Sequence, residues 1–346
     1  MTETHRGAAA QPDLVGAGLV VLAAACFGLL GPLSRFAGDA GVDSLAIVTW
    51  RAGIGAAVVA GFIVARVALG AKRPISLRRV PVRDRWFMLA AAAANTILNL
   101  AAFIAFERIT IALTLLVFYL YPAGVAVLST VWFGDRLDRA RWIALGISLA
   151  GMALVMAGAG ALGELDAIGI GLAFLAALTQ VFYVLAARHG FAHVPGPQAA
   201  ALTMGGAFLL YLVIAAAVTA VPGGAAVSLA SPLASVDALW PVLTAGIVGA
   251  GIPTVSFIVG IRRLGPAPAA ILATFEPVVG VALAAWLLAE TPTSLQLVGG
   301  AFILAAAVLL QLRPRGPVTD HEAVEDHVAG TEPPNDLEER SDVRAR

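Results

Sequence analysis

Two charged side chains stand where charge is expensive. Glu276 lies near the middle of a long apolar stretch, directly before Pro277, and Arg51 lies about 10 Å inside another at about 1.5 Å per helical residue. An ionised group at the centre of a bilayer costs about 3 kcal/mol or more, so each is a functional candidate by default. A carboxyl at Glu276 can serve as the proton site of a coupled carrier. Its plainer alternative is a packing lock, protonated or bonded to a nearby backbone group or arginine. Arg51 can grip a substrate carboxylate through two parallel N–H bonds. The plainer reading is that it snorkels or meets the C-terminal end of a neighbouring helix.

Neutral polar residues surround these two in the sequence. Asn95 and Asn99 are four apart and share one helix face. Gln180 and Tyr183 cluster in a second stretch, Tyr119 and Tyr121 in a third, and Thr254 follows Pro253 in a fourth. A single Thr in such a stretch is usually interhelical glue, worth about 0.6 kcal/mol. Asn95, Asn99, Gln180 and Tyr183 are bulkier and harder to satisfy in lipid, so they are candidate walls of a substrate cavity, with Arg51, Tyr119, Tyr121 and Thr254 beside them. Pro122 and Pro277 also lie within apolar stretches. Each removes one backbone donor and frees the carbonyl four residues earlier, at Phe118 and Ala273. Both read as hinges or as simple packing kinks. Hydrolytic and ATP-driven chemistry lacks residues: there is no HExxH, no Gly-rich phosphate loop and no Ser-His-Asp grouping. All five histidines, His5, His189, His193, His321 and His327, fall in predicted loops or tails, and Cys26 is the lone cysteine. No catalytic residue, metal or cofactor is expected.

The elements that hold these side chains follow from composition. Hydrophobic types make up 60% of the 346 residues and charged types 13%. A soluble domain has about 45–50% and about 25%, so an ordinary soluble fold is excluded. A membrane helix needs about 20 mostly apolar residues. Ten stretches qualify: 14–36, 44–68, 86–106, 109–133, 140–158, 167–187, 198–221, 238–261, 265–289 and 294–312. Arg6, Lys72, Arg73, Arg78, Arg79, Arg83, Arg85, Arg136, Arg139, Arg141, Arg188, Arg262, Arg263, Arg313 and Arg315 all fall on one side of this ten-span scheme. Loops 37–43, 159–166, 222–237 and 290–293 contain no Lys or Arg, and Arg108 is the exception on that side. Both termini are therefore expected in the cytoplasm. Lys plus Arg equals Asp plus Glu, 22 against 22, which argues against a nucleic-acid partner. Residues 317–346 hold nine acids against three Arg, so 314–346 reads as a disordered acidic cytoplasmic tail following residues 1–13 and the spans.

The chain also repeats itself. A shift of 153 residues lays Asp13 on Asp166, Gly16 on Gly169, Gly18 on Gly171 and Arg35 on Arg188. A shift of 155 lays Arg108 on Arg263, Pro122 on Pro277 and Asp135 on Glu290. The unit is five spans, 14–158 and 167–312. Because five is odd, its two copies enter the membrane with opposite orientation. The expected fold class is thus all-α and polytopic, ten transmembrane helices as two inverted five-helix repeats. Many secondary transporters are built this way, with the binding site near the midplane between repeats.

Several segments fit one known family. They are Phe27-Gly28 through Pro32 and Arg35, Trp50-Arg51, Tyr121-Pro122, and Gly134-Asp135-Arg136-Leu137. In the second half they are Leu264-Gly265-Pro266-Ala267, Phe275-Glu276-Pro277-Val278, Leu288-Ala289-Glu290 and Gly299-Gly300-Ala301. In order and spacing the chain resembles the drug/metabolite transporter superfamily, specifically its EamA-like branch, over about residues 14–312. The family usually has Glu where Asp135 stands. The resemblance implies an alternating-access permease in the inner membrane that exports small metabolites, amino acids or drugs. Expected partners are a small molecule, the lipid bilayer and, if Glu276 couples, protons; a homodimer stays open. A membrane adaptor working through the acidic tail, or an intramembrane lipid-handling protein, is the alternative.

Overall fold

Every apolar stretch forms helix, because a backbone surrounded by lipid must satisfy its polar groups within its own segment. The computed structural model describes residues 13–135, 137–158, 166–220, 228–287 and 291–311. The expected N-terminal arm before Asp13, the acidic tail and Glu290 lie outside the described residues. The first half contains α1 (Leu14–Gly28), α2 (Leu30–Asp39), α3 (Ser44–Ala68), α4 (Val82–Arg108), α5 (Ile111–Phe118), α6 (Tyr121–Phe133) and α7 (Arg139–Gly158). The second contains α8 (Ala167–Leu185), α9 (Gly196–Ala220), α10 (Val236–Gly246), α11 (Ile252–Leu264), α12 (Pro266–Ala273), α13 (Glu276–Leu287) and α14 (Ser294–Gln311). No strand occurs among the described residues.

Among those residues, eight helical runs are long and apolar enough to cross a membrane: 14–39, 44–68, 113–133, 139–158, 167–190, 196–220, 236–264 and 266–287. Ten are expected from the sequence. The other two positions are occupied by α4 and α14.

Several of the runs are discontinuous. The run 113–133 breaks between Phe118 and Tyr121, where Leu120 donates to the Val117 carbonyl in a tightened turn. The run 266–287 breaks between Ala273 and Glu276, where Thr274 and Phe275 donate to the carbonyls of Ile271 and Leu272. Pro122 and Pro277 sit just after these breaks. A proline lacks the N–H that would carry the helix through, yet its fixed φ suits the first turn of a new one. The sequence places both prolines inside apolar helices; in the structure each opens the second half of a broken one. Two π turns, Ala186–Gly190 and Ile247–Gly251, extend α8 and join α10 to α11.

The ends of the helices sort the charges. At one end Arg262 donates to the carbonyls of Ala187, Val194 and Phe191, and Arg188 donates back to the Arg262 carbonyl. Arg83 reaches the His189 carbonyl there, and Asp84 meets His193 at 2.8 Å. At the other end Trp50 donates to the Leu229 carbonyl at 2.8 Å, and the Ser228 N–H donates to Asp43. Thus Arg83, Arg188, Arg262 and Arg263 share one end. One expectation needs correction: His189 is not in a loop but in the π turn that completes the helical run from Ala167, stacked 3.9 Å over Phe133.

Small residues let the runs approach. Gly151 of α7 and Gly299 of α14 face each other, and a Cβ on Gly151 would stand 2.6 Å from the Gly299 carbonyl oxygen. The reciprocal Cβ on Gly299 would stand 2.5 Å from the Gly151 carbonyl. Backbone stands on both sides, so neither clash is relieved by a rotamer change. Gly151→Leu is expected to cost about 1–3 kcal/mol by overpacking, read as a lower thermal unfolding midpoint of the detergent-solubilised protein. An unchanged midpoint would refute this close crossing.

Candidate functional site

Arg51 is placed by α3, two turns from the helix start at Ser44. Its guanidinium turns into the bundle rather than to the membrane surface, and Nη2 donates to Asn99 Oδ1 at 2.7 Å. Asn99 is held in turn, since its Nδ2 donates to the Asn95 carbonyl at 2.7 Å. The shared face expected of Asn95 and Asn99 is real. It forms a relay from the α4 backbone to Arg51. The snorkelling alternative for Arg51 is therefore set aside. Asn99 is the only hydrogen-bond partner that the Arg51 guanidinium finds among the described residues. It keeps further N–H donors, and they border a cavity.

That cavity measures about 80 Å³. A site needs about 10–15 Å³ of such space to hold one water, so the cavity holds several. Its wall draws on both halves of the chain. The first half supplies Phe27, Arg51 and Asn95; the second supplies Gln180, Tyr183, Thr254 and Phe257, among others. Five residues singled out from sequence, Arg51, Asn95, Gln180, Tyr183 and Thr254, therefore meet in one place. Tyr211 of α9 is a wall residue that sequence reasoning missed. It is fully buried, and its hydroxyl makes no hydrogen bond of good geometry among the described residues, with Asn99 and Thr96 the polar side chains beside it. Tyr211 also lines the cavity. Its only sequence signal was that it is one of just four tyrosines in the chain, with no polar neighbour at helical spacing. Phe27, Phe257 and Met204 give the wall its apolar portion; in sequence they look like ordinary core.

Glu276, Tyr119 and Tyr121 form a second, adjoining group at the two helix breaks. Glu276 is the first residue of α13 and is half-buried. Tyr119 stands within hydrogen-bonding reach of its carboxyl, and Arg51 is near enough to act on it electrostatically. Tyr119 and Tyr121 are buried with ring centroids 6.2 Å apart, and Phe118 closes the cluster. Neither these tyrosines nor Glu276 lines the cavity. Pro122 and Pro277, both buried, flank this group. At the point of nearest approach α1 crosses α13, with Gly28 against the Glu276 carbonyl. Among the described residues, no cluster of His, Cys, Asp and Glu could hold a metal ion.

Apolar helices in two similar sets, enclosing a polar interior with a buried arginine and carboxyl, define a multi-pass membrane protein built by duplication. The sequence model of the EamA-like transporter family matches it twice, over residues 14–157 and 167–312. The chain belongs to that family, a transporter family rather than an enzymatic one. A solved crystal structure of a protein is similar in fold, with a TM-score of 0.70 and 21% sequence identity over 86% of this chain and 96% of the other. No curated protein matches the sequence.

Proposed function

We propose that the protein is a secondary transporter that works by alternating access. Ten spanning helices in two inverted repeats would rock about the interior cavity, with both termini in the cytoplasm and the chain in the cell membrane. The observation that carries this reading is the wall itself: Arg51 and Asn95 from one repeat face Gln180, Tyr183 and Thr254 from the other across one polar space. A change in how the repeats meet must reshape that space. At about 80 Å³ it is small for a metabolite, so alternating access requires it to widen to load.

The substrate is a small metabolite such as an amino acid, or an amphipathic drug. Arg51, with its unspent donors, suits a carboxylate, the Tyr211 hydroxyl can add a further bond, and Phe27 and Phe257 suit an apolar body. Glu276 is the candidate proton site, and Pro122 and Pro277 are hinges at the broken helices. Phosphorylated or nucleotide-linked anions fit poorly, because no lysine lies in any described helix and Arg51 is the only cation in the wall.

The test is counterflow in proteoliposomes over a panel of amino acids, simple carboxylates and cationic drugs, run with the full chain and with residues 317–346 deleted. A carrier exchanges at least one class, and the truncated chain keeps that exchange. Exchange of none, or its loss with the tail, favours the adaptor reading.

A further inference from the structure

Two ion pairs join the halves of the molecule, and the repeat relates them. Asp13 at the start of α1 receives Arg263 from the last turn of α11, Nε to Oδ2 at 2.9 Å. Asp166 at the start of α8 receives Arg108 from the end of α4, Nη1 to Oδ2 at 3.0 Å. The partners are crosswise: each acid belongs to one repeat and its arginine to the other. Each acid is also an N-cap, Asp13 accepting from the Gly16 N–H at 2.9 Å and Asp166 from the Ile168 N–H at 3.0 Å. Three residues after each acid stands a glycine that lets the arginine stem pass. A Cβ at Gly16 would lie 3.0 Å from the Arg263 Cβ, and one at Gly169 would lie 3.0 Å from the Arg108 Cβ. Acid, cap, glycine and opposing arginine recur together.

The two pairs sit at opposite ends of the bundle. Arg262, next to Arg263, is tied to Ala187 and Phe191 at the far end of the α8 run, whereas Asp166 begins that run. The helical run Ala167–Gly190 is 24 residues long, about 36 Å at 1.5 Å per residue. Both pairs are closed at once, and the cavity between them is small. Arg108, which borders a side whose loops hold no Lys or Arg, has its use here.

We propose that Asp13–Arg263 and Arg108–Asp166 are the two gate latches of the carrier, each holding the repeats together at one membrane face and each released when that face opens. This rests on the alternating-access reading above. Ion pairs at a wet interface are individually weak, so a latch of this kind can be broken by the binding energy of a small substrate. Hydrogen bonds from Arg108 and the Ile168 N–H hold the Asp166 carboxyl below the usual carboxylate range, so this latch is charged at neutral pH. Asp13 is the more enclosed acid, with its side chain 7% exposed against 32% for Asp166. The two latches are therefore unequal, and their relative strength sets which face opens more readily.

The test uses the full chain with Cys26→Ala and a single reporter cysteine at Thr254→Cys in the cavity wall. Modification by a membrane-impermeant thiol reagent is measured from each face of vesicles holding the chain in known orientation. Arg263→Gln and Arg108→Gln release one latch each while leaving both aspartate caps in place. Each is expected to raise labelling about tenfold, from its own face only, the change expected if the latch biases a two-state equilibrium by that factor. Exchanging the charges, Asp13→Arg with Arg263→Asp, is expected to restore the unmodified pattern. Labelling that rises equally from both faces, or from neither, overturns the latches. So does the failure of the charge exchange to restore the pattern when thermal unfolding shows that variant folded. Counterflow by the unmodified chain, measured in the same vesicles, separates the two levels. If it transports while the variants label without sidedness, only the latches fall. If it transports nothing, the carrier reading falls with them.

Discussion

Replacing Glu276 by Gln is expected to leave substrate exchange intact and to abolish accumulation driven by a pH gradient. The physical argument starts with position. Glu276 is the first residue of α13, where the helical run breaks inside the bundle, and Tyr119 and Arg51 are the polar groups around it. A carboxyl that exchanges its proton with one face of the membrane at a time couples proton flow to substrate flow. Glutamine keeps the size and can still accept a hydrogen bond from Tyr119, but it cannot carry the proton. A one-unit pH step can support about a tenfold substrate gradient through a one-proton carrier, since one unit is about 1.4 kcal/mol. The unmodified chain should approach that ratio. The Glu276→Gln chain should stop at equal concentrations on the two sides, with counterflow still measurable. Undiminished gradient-driven accumulation in the variant would remove Glu276 as the coupling site and return it to a packing role.

Arg51→Gln carries the second large effect. A hydrogen bond to a charged group contributes about 1.5–3 kcal/mol, so loss of the guanidinium should weaken a carboxylate substrate by about 10- to 150-fold. Lysine should not rescue, because a single ammonium replaces a planar fork that bonds Asn99 on one side and the ligand on another. Selectivity makes the result diagnostic. Binding of carboxylates should fall while binding of a cationic amphipath of the same size is unchanged or improved, measured by thermal shift and by competition. Equal weakening of both classes would mean that Arg51 supports the fold through Asn99 and does not read the substrate.

Much of the architecture was legible in the residues. Apolar length, the gathering of arginines at alternate loops and the crossed repeat of Asp13 on Asp166 and Arg108 on Arg263 are one-dimensional patterns. They can be read because helix formation in lipid is local: each N–H is satisfied four residues away. Ten spans are expected from apolar length, and eight runs meet both length and hydropathy among the described residues. The helix breaks were half legible. Pro122 and Pro277 marked them, but a proline tells where a donor is lost and not whether the chain bends through or starts a new helix.

The site was legible by type and not by meeting. Arg51, Asn95, Gln180, Tyr183 and Thr254 stood out as polar residues in apolar runs, and they converge on one cavity. Glu276, Tyr119 and Tyr121 stood out equally, yet they assemble beside it at the helix breaks. Tyr211 gave no warning, because its place in the wall is defined by neighbours from other helices. The sequence by itself thus determined a duplicated bundle of membrane helices and the short list of costly polar residues within it. Only the tertiary structure decided that Asp13 faces Arg263 and Asp166 faces Arg108, that Asn99 holds Arg51, and which polar residues share a wall. The reason is that α1 against α11 and α4 against α8 are antiparallel contacts between residues 250 and 58 apart in the chain. Packing of small side chains fixes those contacts, and no local spacing encodes them.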